Sequence, residues 1–240
     1  DLVFMSTRRR SQRRCFWYGY SNRWQAYCMF RMKPDGSAIT QLPWNDVAEW
    51  FPTLSADGEI LFARWDYIDR DAVRHQNLWS MRQDGTNPEA VWGNETTDPH
   101  CTFQPRAIPG SHKIACIASA HHAVTGGPLI LIDPTVDANS QVAITRVTPG
   151  HYPEIDMKHP AESAARDAHN DWYNSPYPYG EDLFLICWSR APLQYEPSRP
   201  APDASLGLYI LSADGTREVL WRDGYIGAHA PEPLVARTPP

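Results

Sequence analysis

The sequence predicts an all-β protein: a β-propeller fragment of about four blades, each a four-stranded antiparallel sheet. Three observations carry this. A hairpin recurs as YCMFRMKPDGSAITQL (Tyr27 to Leu42), NLWSMRQDGTNPEAVW (Asn77 to Trp92) and GLYILSADGTREVLW (Gly207 to Trp221), with a copy lacking Gly, PLILIDP (Pro128 to Pro134). Its aspartates Asp35, Asp84 and Asp133 are evenly spaced, since 84−35 and 133−84 are both 49. A second apolar strand recurs ahead of each copy as LVFMS, EILFAR, KIACIAS and DLFLICWS. Asp-Gly between apolar runs marks a hairpin, because the turn needs positive φ. A sheet-forming unit at this period reads as a blade that buries one face on its neighbour.

Taken in order, residues 1–46 hold three strands of an incomplete blade, with an aromatic loop, RRCFWYGYSNRW, between the first two. Residues 50–95 form a complete blade. Its strands are Trp50 to Leu54, Glu59 to Arg64, Asn77 to Met81 and Pro88 to Trp92, with Ile60 and Phe62 on one face and Leu61 and Ala63 on the other. Residues 102–149 are the next blade, where Pro109-Gly110 replaces Asp-Gly. Residues 150–173 read as an insertion rich in His and Asp, with a short helix at Ala161 to Ala168. Residues 177–223 are the last blade, interrupted by the Pro-rich loop APLQYEPSRPAPDAS. The tail, residues 226–240, has the look of a further first strand.

Composition narrows the function classes. The chain has 240 residues, 42% hydrophobic and 21% charged, enough for one large packed domain. Ten Trp and 22 Pro suit short strands and turns better than helices. Net charge is 22−28 = −6, which argues against a nucleic-acid groove. No apolar run approaches the ~20 residues of a membrane span. The chain opens inside a strand, so a piece of a longer protein is expected and targeting is not read from it. Five cysteines form neither C-x-x-C nor C-x-x-C-H, which excludes a zinc ribbon and c-type haem attachment within this stretch. Cys101, Cys116 and Cys187 sit in apolar strand patterns as buried thiols; pairing of Cys15 with Cys28 stays open.

Strand alternation sorts the loops. Tight turns, one-to-two and three-to-four, lie on one face of the disc. The long loops, at Thr7 to Ala26, Trp65 to Gln76, Ala120 to Gly127 and Arg190 to Ser205, fall on the other with the insertion. Long loops on a rigid scaffold are where binding resides. The residues leaving the second strands on that face are Arg8 with Arg9, then Arg64, Trp65 and Asp66, then His121 and His122, then Arg190. We take Arg8, Arg64, Trp65, Asp66, His121, His122 and Arg190 as the candidate ligand or partner face, with no catalytic and no metal residue assigned. Arginines suit an anionic ligand or acidic segment, and histidines near Asp66 suit a metal. The competing reading makes the arginines struts between blades, with Asp66 as their counter-charge. His151, Asp156, His159, Asp167, His169 and Asp171 of the insertion show no ligand spacing and read as a solvated loop. No G-x-S-x-G, H-E-x-x-H or P-loop is present, and no carboxylate pair stands out for glycan chemistry.

The Asp-Gly alternation resembles TolB-like propeller repeats. More specifically, STRRR, DGEILFARWDYIDR, QNLWSMRQDGTNPEAVWGN, IPGSHKI with the later HH, ITRVTPG and NSPYPYGEDLFLICWS resemble the propeller middle domain of the hydrazine synthase alpha subunit and its relatives in planctomycete-type bacteria. The resemblance spans the chain except the insertion and the Pro-rich loop. It implies the last four blades of a six-bladed propeller, the first of them incomplete, in a periplasmic or extracytoplasmic setting. It implies no cofactor in this chain, haem being held by flanking domains. Two functions follow: a non-catalytic scaffold docking domains, subunits or a small anionic ligand, or the propeller part of a multihaem oxidoreductase. C-x-x-C-H motifs in flanking sequence would separate them.

Overall fold

The computed structural model describes residues 1–8, 26–43, 47–66, 71, 73–121, 126–149, 172–190 and 205–236. They form antiparallel β-sheets of the propeller kind, none closed on itself. The first sheet is β1 (Leu2–Ser6), β2 (Cys28–Met32) and β3 (Thr40–Leu42). The second is β4 (Ala48–Leu54), β5 (Ile60–Trp65), β6 (Gln76–Met81) and β7 (Glu89–Trp92). The third is β8 (Cys101–Ala107), β9 (Ile114–Ser119), β10 (Leu129–Ile132) and β11 (Ile144–Arg146). The fourth is β12 (Trp172–Pro178), β13 (Leu183–Ser189), β14 (Gly207–Ser212) and β15 (Arg217–Trp221). A single parallel contact, Gln76 with Cys101, links the second and third sheets. Helical structure among the described residues is one 3-10 turn, Gln141–Ala143.

The alternation read from the sequence sets the packing. Ile60 and Phe62 pack backward onto Met29 and Leu42 of the first sheet. Leu61, Leu78 and Trp92 pack forward onto Ile114, Cys116, Ile130 and Ile132 of the third. Ile117, Leu129 and Leu131 of the third meet Tyr173, Phe184, Ile186 and Leu211 of the fourth. Cys101, Cys116 and Cys187 are buried thiols, and burial raises each pKa, that of Cys187 to about 12. Cys28 is buried, while Cys15 lies outside the described residues.

The hairpin aspartates work as turn caps. Asp35, Asp84, Asp133 and Asp214 each accept the N–H of the Ser or Thr two residues on, at 2.9 to 3.0 Å. The even spacing is only partly structural, however. Ile132 pairs with Ile114 as Met81 pairs with Ile60, so Asp133 stands two positions earlier in its hairpin than Asp84. The 3-10 turn takes up the difference.

The start of the fourth sheet differs most from the sequence reading. β12 begins at Trp172, inside the stretch read as insertion and ahead of Tyr177. The reason is a bulge that breaks alternation, and it recurs. In β4, Phe51 and Pro52 together oppose Phe62; in β8, Gln104 and Pro105 oppose Cys116; in β12, Ser175 and Pro176 oppose Ile186. The residue before each proline has positive φ: 58° at Phe51, 53° at Gln104 and 51° at Ser175. Proline cannot donate to a ladder and is tolerated at such a bulge.

The tail, residues 226–236, forms no ladder, yet Ala230 before Pro231 has φ 46°. The preceding sheet also holds it as it holds an innermost strand. Ala228 N–H donates to Leu206 O at 2.7 Å, two residues ahead of the positive-φ position. Glu49 N–H donates to Tyr27 O at 2.9 Å, and Tyr173 N–H to Gly127 O at 3.1 Å, at the same offset. The expected helix at Ala161 to Ala168 lies outside the described residues.

Candidate functional site

β6 and β8 run parallel, and β5 and β9 are antiparallel to them, so β5 and β9 deliver their ends to one face. Arg64 and Trp65 close β5 there, and His121 follows β9 by two residues. Trp65 lies between Trp50, stacked at 5.8 Å and 27°, and His121, at 5.1 Å and 59°. Trp50 in turn meets Phe103 edge-on at 5.8 Å, so an aromatic run leads from the innermost strands to His121.

Gln76 fixes the histidine. Its Nε2 donates to Val73 O at 3.0 Å and lies 2.7 Å from His121 Nδ1. An amide nitrogen has two hydrogens, so Nδ1 accepts and the neutral ring carries its proton on Nε2. His121 and Gln76 are both buried. The backbone ties the same corner together through Asp66 N–H to His75 O at 3.0 Å and Gln76 N–H to His100 O at 3.1 Å.

Arg64 is held inside its own sheet. Its Nε donates to Asp66 Oδ1 at 2.8 Å, and the guanidinium lies 4.2 Å over Trp79. Both side chains are mostly buried, and Asp66 offsets the charge locally. Glu49, wholly buried, is its ladder partner on β4. Arg8 and Arg190 leave β1 and β13 and are exposed; Arg8 lies 5.5 Å over Phe4. The structure thus brings Arg64, Trp65, Asp66 and His121 to the junction of the second and third sheets, and sets Arg8 and Arg190 on the first and fourth. Arg9, His122 and the insertion's His151, Asp156, His159, Asp167, His169 and Asp171 lie outside the described residues.

In the loop between β5 and β6, burial would raise the Asp71 carboxyl. Hydrogen bonds from the Arg74 and Val73 amides and the Arg74 guanidinium outweigh it and hold its pKa at about 2. Among the described residues no three of His, Cys, Asp and Glu are grouped to hold a metal ion. None of the helical structure described is long and apolar enough to cross a membrane.

Sequence reasoning missed Gln76, Trp50 and Glu49. The position of Gln76, directly ahead of the third strand read at Asn77 and so facing the end of the second, was the available signal; the structure starts that strand at Gln76 itself.

No protein-family model and no curated protein matches this sequence. Among solved structures, the chain is similar to hydrazine synthase of Kuenenia stuttgartiensis, with TM-score 0.57 and 17% identity over 86% of this chain and 26% of that one. It therefore spans about a quarter of that chain's length, and the likeness is one of fold. A Lactobacillus plantarum protein aligns more loosely, with TM-score 0.37 and 12% identity over 82% of this chain and 50% of that one.

Proposed function

We propose that the chain is a non-catalytic propeller scaffold within a larger bacterial protein, one that resembles the hydrazine synthase alpha subunit's middle domain with TolB-like repeats. It docks a flanking domain, another subunit or a small anionic ligand on its long-loop face. In this reading any haem belongs to flanking domains, and the setting is outside the cytoplasm.

The observation that carries the reading is the corner at Trp65, Gln76 and His121. Half-buried Trp65 meets an imidazole whose Nε2–H is preset as a donor by Gln76. A rigid, half-buried aromatic edge with an exposed arginine on the same long-loop face suits recognition of a carboxylate- or phosphate-bearing group. Arg64 belongs to the support of this corner, because Asp66 already offsets its charge. Arg190, exposed at the end of β13, supplies attraction from the fourth sheet.

Titration with inorganic phosphate and with a polyglutamate peptide tests this, followed by the NMR signals of Trp65 and His121. Shifts at both residues that Arg190→Ala weakens, without a change in melting temperature, are expected. Silence there, or shifts confined to the hairpins of Asp35, Asp84 and Asp214 on the other face, overturns the reading.

A further inference from the structure

A short chain of hydrogen bonds joins the second sheet to the third at the long-loop face. Gln76 Nε2 donates one hydrogen to Val73 O at 3.0 Å and the other to His121 Nδ1 at 2.7 Å. Both side chains are buried. The main chain closes the same joint, with Asp66 N–H on His75 O at 3.0 Å and Gln76 N–H on His100 O at 3.1 Å. Gln76 is also the residue that meets Cys101 in the parallel contact between the two sheets. The second and third sheets each pack on a neighbour at either side, so the joint is interior to the stack.

This chain of bonds needs a neutral imidazole. A protonated ring donates from both nitrogens. Nδ1–H then points at the Gln76 amide nitrogen, donor against donor. Turning the amide to offer Oε1 restores the bond to His121, but it sets an oxygen against Val73 O and removes that carbonyl's donor. Either way one buried link is lost, and a buried polar group left unpaired bears its full desolvation cost. The charged groups on the neighbouring elements already have partners. Asp66 Oδ1 accepts Arg64 Nε at 2.8 Å, and Glu49 faces Arg64 across the β4–β5 ladder. Asp71 accepts the Val73 and Arg74 amides and the Arg74 guanidinium; its pKa of about 2 keeps it ionised wherever an imidazole titrates. His75 and His100 enter the joint through their carbonyls, and Trp65 lies against the His121 ring at 5.1 Å.

We propose that the joint is a pH switch: protonation of His121 breaks its link to Gln76 and frees residues 73–76 from the third sheet. An unperturbed imidazole ionises near pH 6.5, within the span of ordinary physiological change. A joint that requires the neutral ring is complete above that pH and weakens as pH falls below it. The Asp71 contribution to the same segment is lost only as pH falls from about 4 toward 2, so the two windows are separate. Opening the joint loosens the packing around Trp65. A partner docked on that edge is then released in mild acid; this last step alone rests on the docking reading above.

Amide exchange of the full chain at Asp66 and Gln76, whose N–H groups close the joint, tests it. No ligand is present, so failure here is distinct from failure of the docking reading. Protection, corrected for the intrinsic pH dependence of exchange, should fall roughly thirtyfold from about pH 7.5 to about pH 5, the ratio for a group that ionises near 6.5 only in the open joint. The core amide of Leu131 should keep its protection over the same range. His121→Asn places a carbonyl oxygen beside Gln76 that takes up no proton there, and its protection should stay level. The ring nitrogen signals of the unmutated chain give a second reading, with Nδ1 unprotonated at neutral pH. Level protection in the parent, a fall that persists in His121→Asn, a fall that begins only below about pH 4 where Asp71 titrates, or an Nδ1 protonated at neutral pH overturns the proposal.

Discussion

At the residue scale, the loop between β5 and β6 is shaped by one carboxylate. Asp71 binds the Val73 N–H at 2.7 Å and the Arg74 N–H at 2.9 Å, with Arg74 Nε at 2.7 Å. Its pKa falls from 3.8 to about 2. A carboxyl depressed by folding contributes stability that is complete above its unfolded pKa and is lost as pH falls through the folded one. The loop should therefore hold at neutral pH and loosen as pH falls from about 4 toward 2. Amide exchange at Val73 and Arg74 across that range measures it. Asp71→Asn should flatten the pH response and start from faster exchange; an unchanged pH response in the variant would refute the assignment.

At the element scale, the innermost strands are defined by their bulges. A bulge frees one N–H from the ladder, and at two junctions the preceding sheet supplies an acceptor. Phe51 N–H meets Met5 Sδ at 3.0 Å, and Ser175 N–H meets Gln104 Oε1 at 2.7 Å. Gln104 Nε2 also donates to Asn174 Oδ1 at 3.2 Å, within a buried corner. Removing the acceptor strands a buried donor, which costs about 1–3 kcal/mol. Gln104→Met should therefore destabilise the chain by that amount and speed exchange at Ser175 ahead of the rest of β12. Gln104→Glu keeps an acceptor and should spare that amide. Equal acceleration throughout the fourth sheet in Gln104→Met would point to general loosening instead.

On the scale of the whole molecule, stability comes from sheet stacking. Trp92 is wholly buried between the second and third sheets, while its counterpart Trp221 is 44% exposed. Trp92→Ala should cost about 3–5 kcal/mol, the range for truncating a core aromatic. Trp221→Ala should cost under about 1 kcal/mol in the dilute chain, because little packing is lost there. Denaturant unfolding of the two variants compares them, and equal losses would contradict this account of the stacking.

The sequence by itself determined the all-β class, the repeat and the faces of β5, because alternation and Asp-Gly turns are local signals that survive without a partner strand. Buried Cys101, Cys116 and Cys187 were legible for the same reason. It also placed Arg64, Trp65, Asp66 and His121 on one face, since strand direction follows from counting strands. What partners those residues take was not legible. Asp66 lies two residues from Arg64 and was the evident counter-charge, but Trp79, Gln76 and Trp50 reach the corner from other strands, across registers that only tertiary pairing sets. The start of β12 was hidden because a bulge before Pro176 breaks the alternation that marks a strand. The aligned Asp133 misled by two positions, because a turn can lengthen while its capping residue stays the same. Local chemistry names the elements; which side chains meet is decided by how one sheet's face is laid on the next.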